Sequence, residues 1–201
     1  MEKFVRLEAV AVPVAMPNVD TDQITPARFL WRPRQDGYAQ ILFHDLRFDD
    51  QGAERPDFIL NRAEYRPSRI LVAARNFGCG SSREHAVWAL YDYGFRAVIA
   101  PSFGDIFFNN SFKHGLLPIV LPETRVKSLL ETLASAPGSR MTVDLQAQQL
   151  IAPDGTVDGF SIDPFRKRLL LEGLDEISFT LTYQAEIGAF EADYERRLPW
   201  I

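Results

Sequence analysis

Hydrophobic residues along this chain form two kinds of segment. Four short apolar runs bounded by turn residues predict strands, and they cover 7–14, 69–74, 96–101 and 116–121. Elsewhere apolar residues recur at three- and four-residue spacing, which is typical of a helix with one buried face. Segments with this spacing predict helices at 38–48, 82–93, 103–114, 126–134, 163–172 and 187–197.

The order of these segments indicates the fold class. From residue 69 onward strands alternate with helices, which favours an α/β core with parallel strands. The later segments 141–145 and 149–152 predict a hairpin, and 160–162 predicts a short strand. The chain has 201 residues and no composition change typical of a linker, so we expect residues 1–201 to form a single domain.

Charge and composition exclude several functions. The formal net charge is -5, which disfavours non-specific binding to nucleic acid. The apolar run 9–15 is short and contains Pro13, so we expect no membrane span or signal peptide and a cytoplasmic location. Cys79 is the single cysteine and the 3 histidines lack ligand spacing. This chain alone is therefore not expected to hold a metal ion or an iron–sulfur cluster.

The segment from Arg75 to His85, R-N-F-G-C-G-S-S-R-E-H, carries the strongest chemical signal. It joins a predicted strand to a predicted helix and places Ser81, Ser82 and Arg83 near the helix start. Backbone N–H groups and the helix dipole favour anions at such a position. Arginine adds a planar charged group that suits a carboxylate. The segment predicts an anion site with a hydroxyl group beside it.

A purely structural interpretation of this segment stays open. Ser81 and Glu84 have the S-x-x-E spacing of a capping box, in which both side chains bond backbone N–H groups at a helix start. Cys79, which no histidine accompanies at a motif-like distance, is interpreted as a small packed residue. A capping box does not explain the second serine or the adjacent arginine. The two interpretations are compatible.

Three segments together resemble one known family. They are N-V-D-T-D-Q-I-T-P-A-R-F-L from Asn18, N-F-G-C-G-S-S-R-E-H-A-V-W-A-L from Asn76 and V-I-A-P-S-F-G-D-I-F-F-N-N-S-F from Val98. The chain resembles the small subunit of 3-isopropylmalate dehydratase, within the aconitase superfamily. The resemblance implies a swivelling β/β/α domain of the aconitase C-terminal type.

The same resemblance implies that this chain is one of the two kinds of subunit that an enzyme needs for activity. A separate large subunit would carry a [4Fe–4S] cluster, and this chain would bind no cofactor. The implied reaction interconverts 2-isopropylmalate and 3-isopropylmalate through isopropylmaleate, in leucine biosynthesis. Related hydro-lyases, such as homoaconitase or a citraconate or alkylmalate hydratase, and a non-catalytic binding protein with the swivel fold remain alternatives. A heterodimer and a heterotetramer would give the same sequence features.

The resemblance also implies roles for particular residues. Ser81 matches the general base that removes a proton from carbon, and Ser82 and Arg83 match substrate-binding positions. Thr21 and Asp22 match a turn that approaches the same small-molecule site. The segment of Arg28, Phe29, Leu30 and Trp31 lies in a predicted loop at 26–33 and is the candidate specificity loop, because an isopropyl group requires apolar contacts.

Overall fold

A computed structural model describes residues 1–198, and a single mixed sheet forms its centre. The 7-stranded sheet has the order β4-β3-β2-β1-β5-β6-β7. Strands β1 to β4 are parallel, whereas β5, β6 and β7 extend the sheet in antiparallel pairs. The strands are β1 (Arg6–Val14), β2 (Ile70–Ala73), β3 (Ala97–Ala100), β4 (Leu117–Val120), β5 (Arg140–Asp144), β6 (Gln149–Ile151) and β7 (Val157–Gly159).

Helices and short turns cover this sheet. Single 3-10 turns lie at Ala27–Phe29, Arg34–Asp36, Ile59–Asn61 and Ala63–Tyr65. The α-helices are α1 (Thr21–Ile24), α2 (His44–Arg47), α3 (Glu84–Tyr93), α4 (Asp105–Lys113), α5 (Glu123–Ser135), α6 (Pro164–Glu172), α7 (Glu176–Leu181) and α8 (Gln184–Arg197). Within residues 1–198, no helix has both the length and the apolar character needed to cross a membrane.

Two hydrophobic cores lie on opposite faces of the sheet. Every residue of β2 and β3 is buried, as expected for central strands covered on both faces. One core joins the strands to α3 and to the segment between β1 and β2, and the other joins them to α5 and α6. Each fully buried Leu, Val or Ile contributes about 1.5–3 kcal/mol relative to exposure. The sheet is therefore a rigid base for the turns at its edge.

The parallel strands determine where a site can form. Because β1, β2 and β3 are parallel neighbours, their carboxyl ends meet at one edge of the sheet. Ligands of open α/β sheets bind outside the carboxyl ends of the strands. The turns that follow β1 and β2 carry residues 15–20 and 74–83, which include the serine-rich segment.

The structure confirms most predicted elements and corrects two. The segment 38–48 is helical only at α2 (His44–Arg47), because Phe43 adopts a left-handed φ of 49° that interrupts a helix. The predicted strand at 160–162 is also wrong. The third antiparallel strand is β7 (Val157–Gly159), which pairs with β6, and α7 is a helix that the sequence pattern did not indicate.

Candidate active site

The turn after β2 packs so closely on an aromatic ring that there is no room for a side chain at Gly78. Gly78 has a φ of +70°, and a Cβ atom built there would lie 2.3 Å from Cγ of Phe107. Phe107 is buried and packs edge-on against Phe77, with ring centroids 5.4 Å apart. The Gly78 N–H donates to the Val19 carbonyl at 2.7 Å. Glycine at 78 therefore lets the serine-bearing turn pack directly on the core.

The turn after β1 docks against this segment through α1. Asp20 and Gln23 form a capping box that fixes the first turn of α1. The Thr21 N–H donates to the Cys79 carbonyl at 2.9 Å, and Thr21 Oγ1 donates to the Ser81 carbonyl at 2.9 Å. Two segments that lie 60 residues apart in sequence are thus held together by one backbone hydrogen bond and one from the Thr21 side chain.

A pair of asparagines joins the bases of the two turns. Asn18 and Asn76 both have positive φ, at 54° and 59°. The Asn76 side-chain amide donates to Asn18 Oδ1 at 2.9 Å, and the Asn18 N–H donates to the Arg75 carbonyl at 2.9 Å. Asparagine is one of the few residues that tolerates this backbone conformation. The sequence analysis missed this pair. The only local signal for it was an asparagine at the start of each of the two motifs.

Ser81 and Ser82 lie exposed just before α3 rather than within it. The helix begins at Glu84 with Arg83 at its N-cap, and no side chain caps it. The predicted capping box of Ser81 and Glu84 is therefore wrong. Arg83 is extended, with φ -140°, so the chain is not helical where it leaves the serines, and the Ser81 carbonyl accepts from Thr21. The first N–H groups of α3 remain available to an anion.

Arg83 lies beside the serines and is oriented by Asp22. Its guanidinium donates to Asp22 Oδ1, and its side chain is 15% exposed, compared with 52% for Asp22. A guanidinium has five N–H donors in a planar fork, so one contact with Asp22 leaves donors for a carboxylate. The structure thus brings Thr21, Asp22 and the Ser81–Arg83 segment together, as the family resemblance implies. Their chemical roles stay predictions.

The candidate specificity loop lies next to the start of α3. Arg28 pairs with Asp45, and this contact lowers the pKa of the Asp45 carboxyl. Phe29 packs on His44 with ring centroids 4.8 Å apart. Leu30 is half-buried, whereas Trp31 is 81% exposed. In this loop Arg28 is therefore paired with a carboxylate, whereas the Trp31 side chain is exposed to solvent.

Two histidines pack against Trp88 of α3. His85 lies against Trp88, with centroids 4.6 Å apart, and burial lowers its pKa. Trp88 Nε1 donates to His114 Nε2 at 3.2 Å, which requires that nitrogen to be unprotonated. Glu84 Oε2 lies 3.6 Å from the same nitrogen and would favour protonation. Burial has the larger effect and lowers the pKa of His114.

His114 should make the stability of this chain sensitive to acid. Its lowered pKa means that the folded chain binds fewer protons than the unfolded chain, which takes them up near the ordinary value of about 6.5. The free energy of unfolding should thus fall as the pH falls through that value. Denaturant titrations between about pH 7 and about pH 5.5 should show a smaller loss for His114→Gln than for the unmodified chain. An equal loss in both would contradict this assignment, and His44→Gln controls for removal of a histidine elsewhere.

Metal-binding geometry is absent from the described part of the chain. No group of three His, Cys, Asp or Glu side chains within residues 1–198 could hold a metal ion. Cys79 is half-buried, and its backbone forms a bridge with Asp20. A lone cysteine does not fit the thiolate set of a [4Fe–4S] cluster.

The fold and the paired turns define a class of protein. Residues 1–124 match the family model described as the aconitase C-terminal domain, and residues 127–164 match the model described as LeuD_N. A crystal structure of 3-isopropylmalate dehydratase from Methanocaldococcus jannaschii is similar with a TM-score of 0.67. It is 24% identical, and the match covers 93% of this chain and 99% of that one. This likeness and the family match confirm the aconitase C-terminal fold class.

Curated relatives narrow the class to one family. The 3-isopropylmalate dehydratase small subunit of Rhodospirillum centenum is 54% identical over 100% of this chain and 98% of its own length. The protein of the same name from Parvibaculum lavamentivorans is 51% identical over the full length of both chains. The chain belongs to the family of 3-isopropylmalate dehydratase small subunits. The family inferred from the sequence motifs is thus confirmed.

Proposed function

We propose that this chain is the subunit of a 3-isopropylmalate dehydratase that supplies the general base, Ser81, and an arginine that binds a substrate carboxylate, Arg83. The reaction interconverts 2-isopropylmalate and 3-isopropylmalate through isopropylmaleate, in leucine biosynthesis. One observation carries the proposal: the exposed Ser81 lies two residues before Arg83, which occupies the N-cap of α3 and pairs with Asp22. A hydroxyl and an oriented guanidinium at one helix start suit a dicarboxylate whose carbon loses a proton.

The proposed base requires help from its surroundings. An unperturbed serine hydroxyl is too weakly acidic to lose its proton at neutral pH, so the site must stabilise the resulting anion. The free N–H groups at the start of α3 and the charge of Arg83 supply positive potential there. Ser82, also exposed, would hydrogen-bond a second substrate oxygen. Exclusion of water by a covering partner would strengthen each of these contacts.

A large subunit is the proposed partner, and it would hold the [4Fe–4S] cluster. Three thiolates are needed from protein, whereas this chain contains one cysteine. The cluster therefore does not fit this chain. All 201 residues would act as one swivelling domain that closes over the small-molecule substrate, and the cytoplasm is the proposed compartment.

The contacts of the loop favour an alkylmalate over a tricarboxylate. Arg28 is paired with Asp45, so its charge is already compensated. Leu30 and Trp31, which follow it, are apolar and can contact an isopropyl group. Isopropylmaleate is therefore the proposed substrate rather than homoaconitate.

Reconstitution tests the proposal directly. This chain, co-purified with the large subunit of a related dehydratase and assayed on isopropylmaleate, citraconate and homoaconitate, should hydrate isopropylmaleate with the highest kcat/KM. Neither subunit alone should be active. A complex that prefers citraconate or homoaconitate would make the chain part of another hydro-lyase. A complex inactive on all three, or no complex at all, would support the non-catalytic alternative.

A further inference from the structure

We propose that Asp92 and Arg34 form an anchor that positions the specificity loop and so sets selectivity for the alkyl group. Asp92 lies in the last turn of α3. Arg34 donates to it through both terminal nitrogens, at 2.6 Å each, and the Tyr38 N–H donates to it at 2.8 Å. This inference rests on the proposed function, because selectivity requires that the loop face the substrate.

The anchor is built like a structural contact rather than a chance surface pair. The Asp92 side chain is 16% exposed and that of Arg34 is 45% exposed, and the pair is bidentate, which fixes both distance and orientation. The Arg34 guanidinium also lies over the Trp88 ring, 5.3 Å from its centroid. Ion pairs with an exposed partner contribute little to stability unless their geometry is close to ideal, as it is in this bidentate arginine–carboxylate pair.

Tyr38 extends the anchor into the loop. Its ring is fully buried, and its hydroxyl donates to the Arg32 carbonyl at 2.6 Å. The ring also packs 5.7 Å from His85 and 5.6 Å from Trp88, centroid to centroid. The carboxyl end of the loop is thus fixed to α3, the same helix whose start carries the serines.

The other end of the loop is fixed separately. Arg28 pairs with Asp45, and the Thr25 hydroxyl donates to the His85 carbonyl at 3.3 Å. Leu30 and Trp31 lie between these two attachments, close to the first turn of α3. Releasing the Asp92 end would let the apolar tip move relative to Ser81. A displaced tip would contact the alkyl group less well, which weakens substrate binding and so raises KM.

Asp92→Asn tests this inference in the assembled enzyme. It removes the charge but keeps an oxygen that can accept from the Tyr38 N–H. We expect the KM for isopropylmaleate to rise about tenfold with kcat changed less than about threefold, and the preference over citraconate to shrink. Arg34→Gln should have the same effect, and the double variant should be no worse than either, because both changes break one contact.

A matched control is available at the far edge of the sheet. Arg125 and Asp158 also form an arginine–aspartate pair, at 2.8 Å, and the Asp158 side chain, at 18% exposure, is about as buried as that of Asp92. Asp158→Asn should lower stability to a similar degree and leave the substrate preference unchanged. If Asp158→Asn changes KM and preference as much as Asp92→Asn does, the effect is general destabilisation and the proposed role is overturned.

Hydrogen exchange separates this inference from the proposed function. In the isolated chain, Asp92→Asn should accelerate amide exchange in residues 28–37, whereas Asp158→Asn should not. Unchanged exchange there would overturn the anchor, whatever the enzyme does. Faster exchange with an unchanged preference would overturn its role in selectivity. An unmodified complex inactive on every substrate would instead overturn the proposed function.

Discussion

Ser81→Ala in the reconstituted enzyme should reduce kcat about 10³-fold or more while leaving the chain folded. Ser81 is exposed, and its Oγ makes no hydrogen bond to any group in the described portion, residues 1–198. Its backbone carbonyl, which accepts from Thr21, is retained in alanine. The free energy of unfolding should thus change by less than about 0.5 kcal/mol. Steady-state kinetics on isopropylmaleate, together with denaturant unfolding of the isolated variant, measure both quantities.

Ser82→Ala is the matched control for this experiment. The two serines are adjacent, exposed and of identical size, and both precede α3. A residue that only binds substrate should raise KM more than it lowers kcat, whereas loss of a base should lower kcat. A Ser81→Ala enzyme with normal turnover, or a Ser82→Ala enzyme with the larger loss in kcat, would place the base elsewhere.

Local patterns predict the sheet well because its strands have strong sequence signals. β2 and β3 are uninterrupted apolar runs between turn residues, so both their type and their parallel pairing could be expected. The segment 38–48 has similar apolar content but folds differently. Tyr38, Ile41, Leu42 and Phe43 are all buried, so a helical spacing there reflects burial on several sides rather than one helix face.

The candidate site shows what local patterns cannot predict. The S-x-x-E spacing at Ser81 satisfies a capping box, yet the structure forms its capping box at Asp20 and Gln23. At Ser81 the structure shows instead a contact across 60 residues, from the Thr21 hydroxyl to the Ser81 carbonyl. Which residues gather could be inferred only from the family resemblance. The Asp92 anchor had no sequence signal, because Asp92 and Arg34 lie 58 positions apart.

Gly78→Ala should be the most destabilising single change in the site. The new Cβ would lie 2.3 Å from Cγ of Phe107, and φ at this position is +70°. A left-handed backbone costs an alanine about 1–2 kcal/mol, and overpacking a filled core costs about 1–3 kcal/mol more. Phe107 is buried and packs against both Phe77 and Phe103, so it has no free space in which to move. Denaturant unfolding should therefore show a loss of about 2–5 kcal/mol in total.

Gly52→Ala separates the two causes of this loss. Gly52 has a φ of +81°, close to that of Gly78, but a Cβ there would meet no atom within 4 Å. Its cost should be the backbone strain alone, about 1–2 kcal/mol. The difference between the two variants then measures the close approach of the turn to Phe107. Equal losses in both would mean that the Phe107 ring can shift to make room for the new Cβ while the turn keeps its position. In that case the position of Ser81 would not depend on glycine at 78, and a folded Gly78→Ala enzyme would keep its activity.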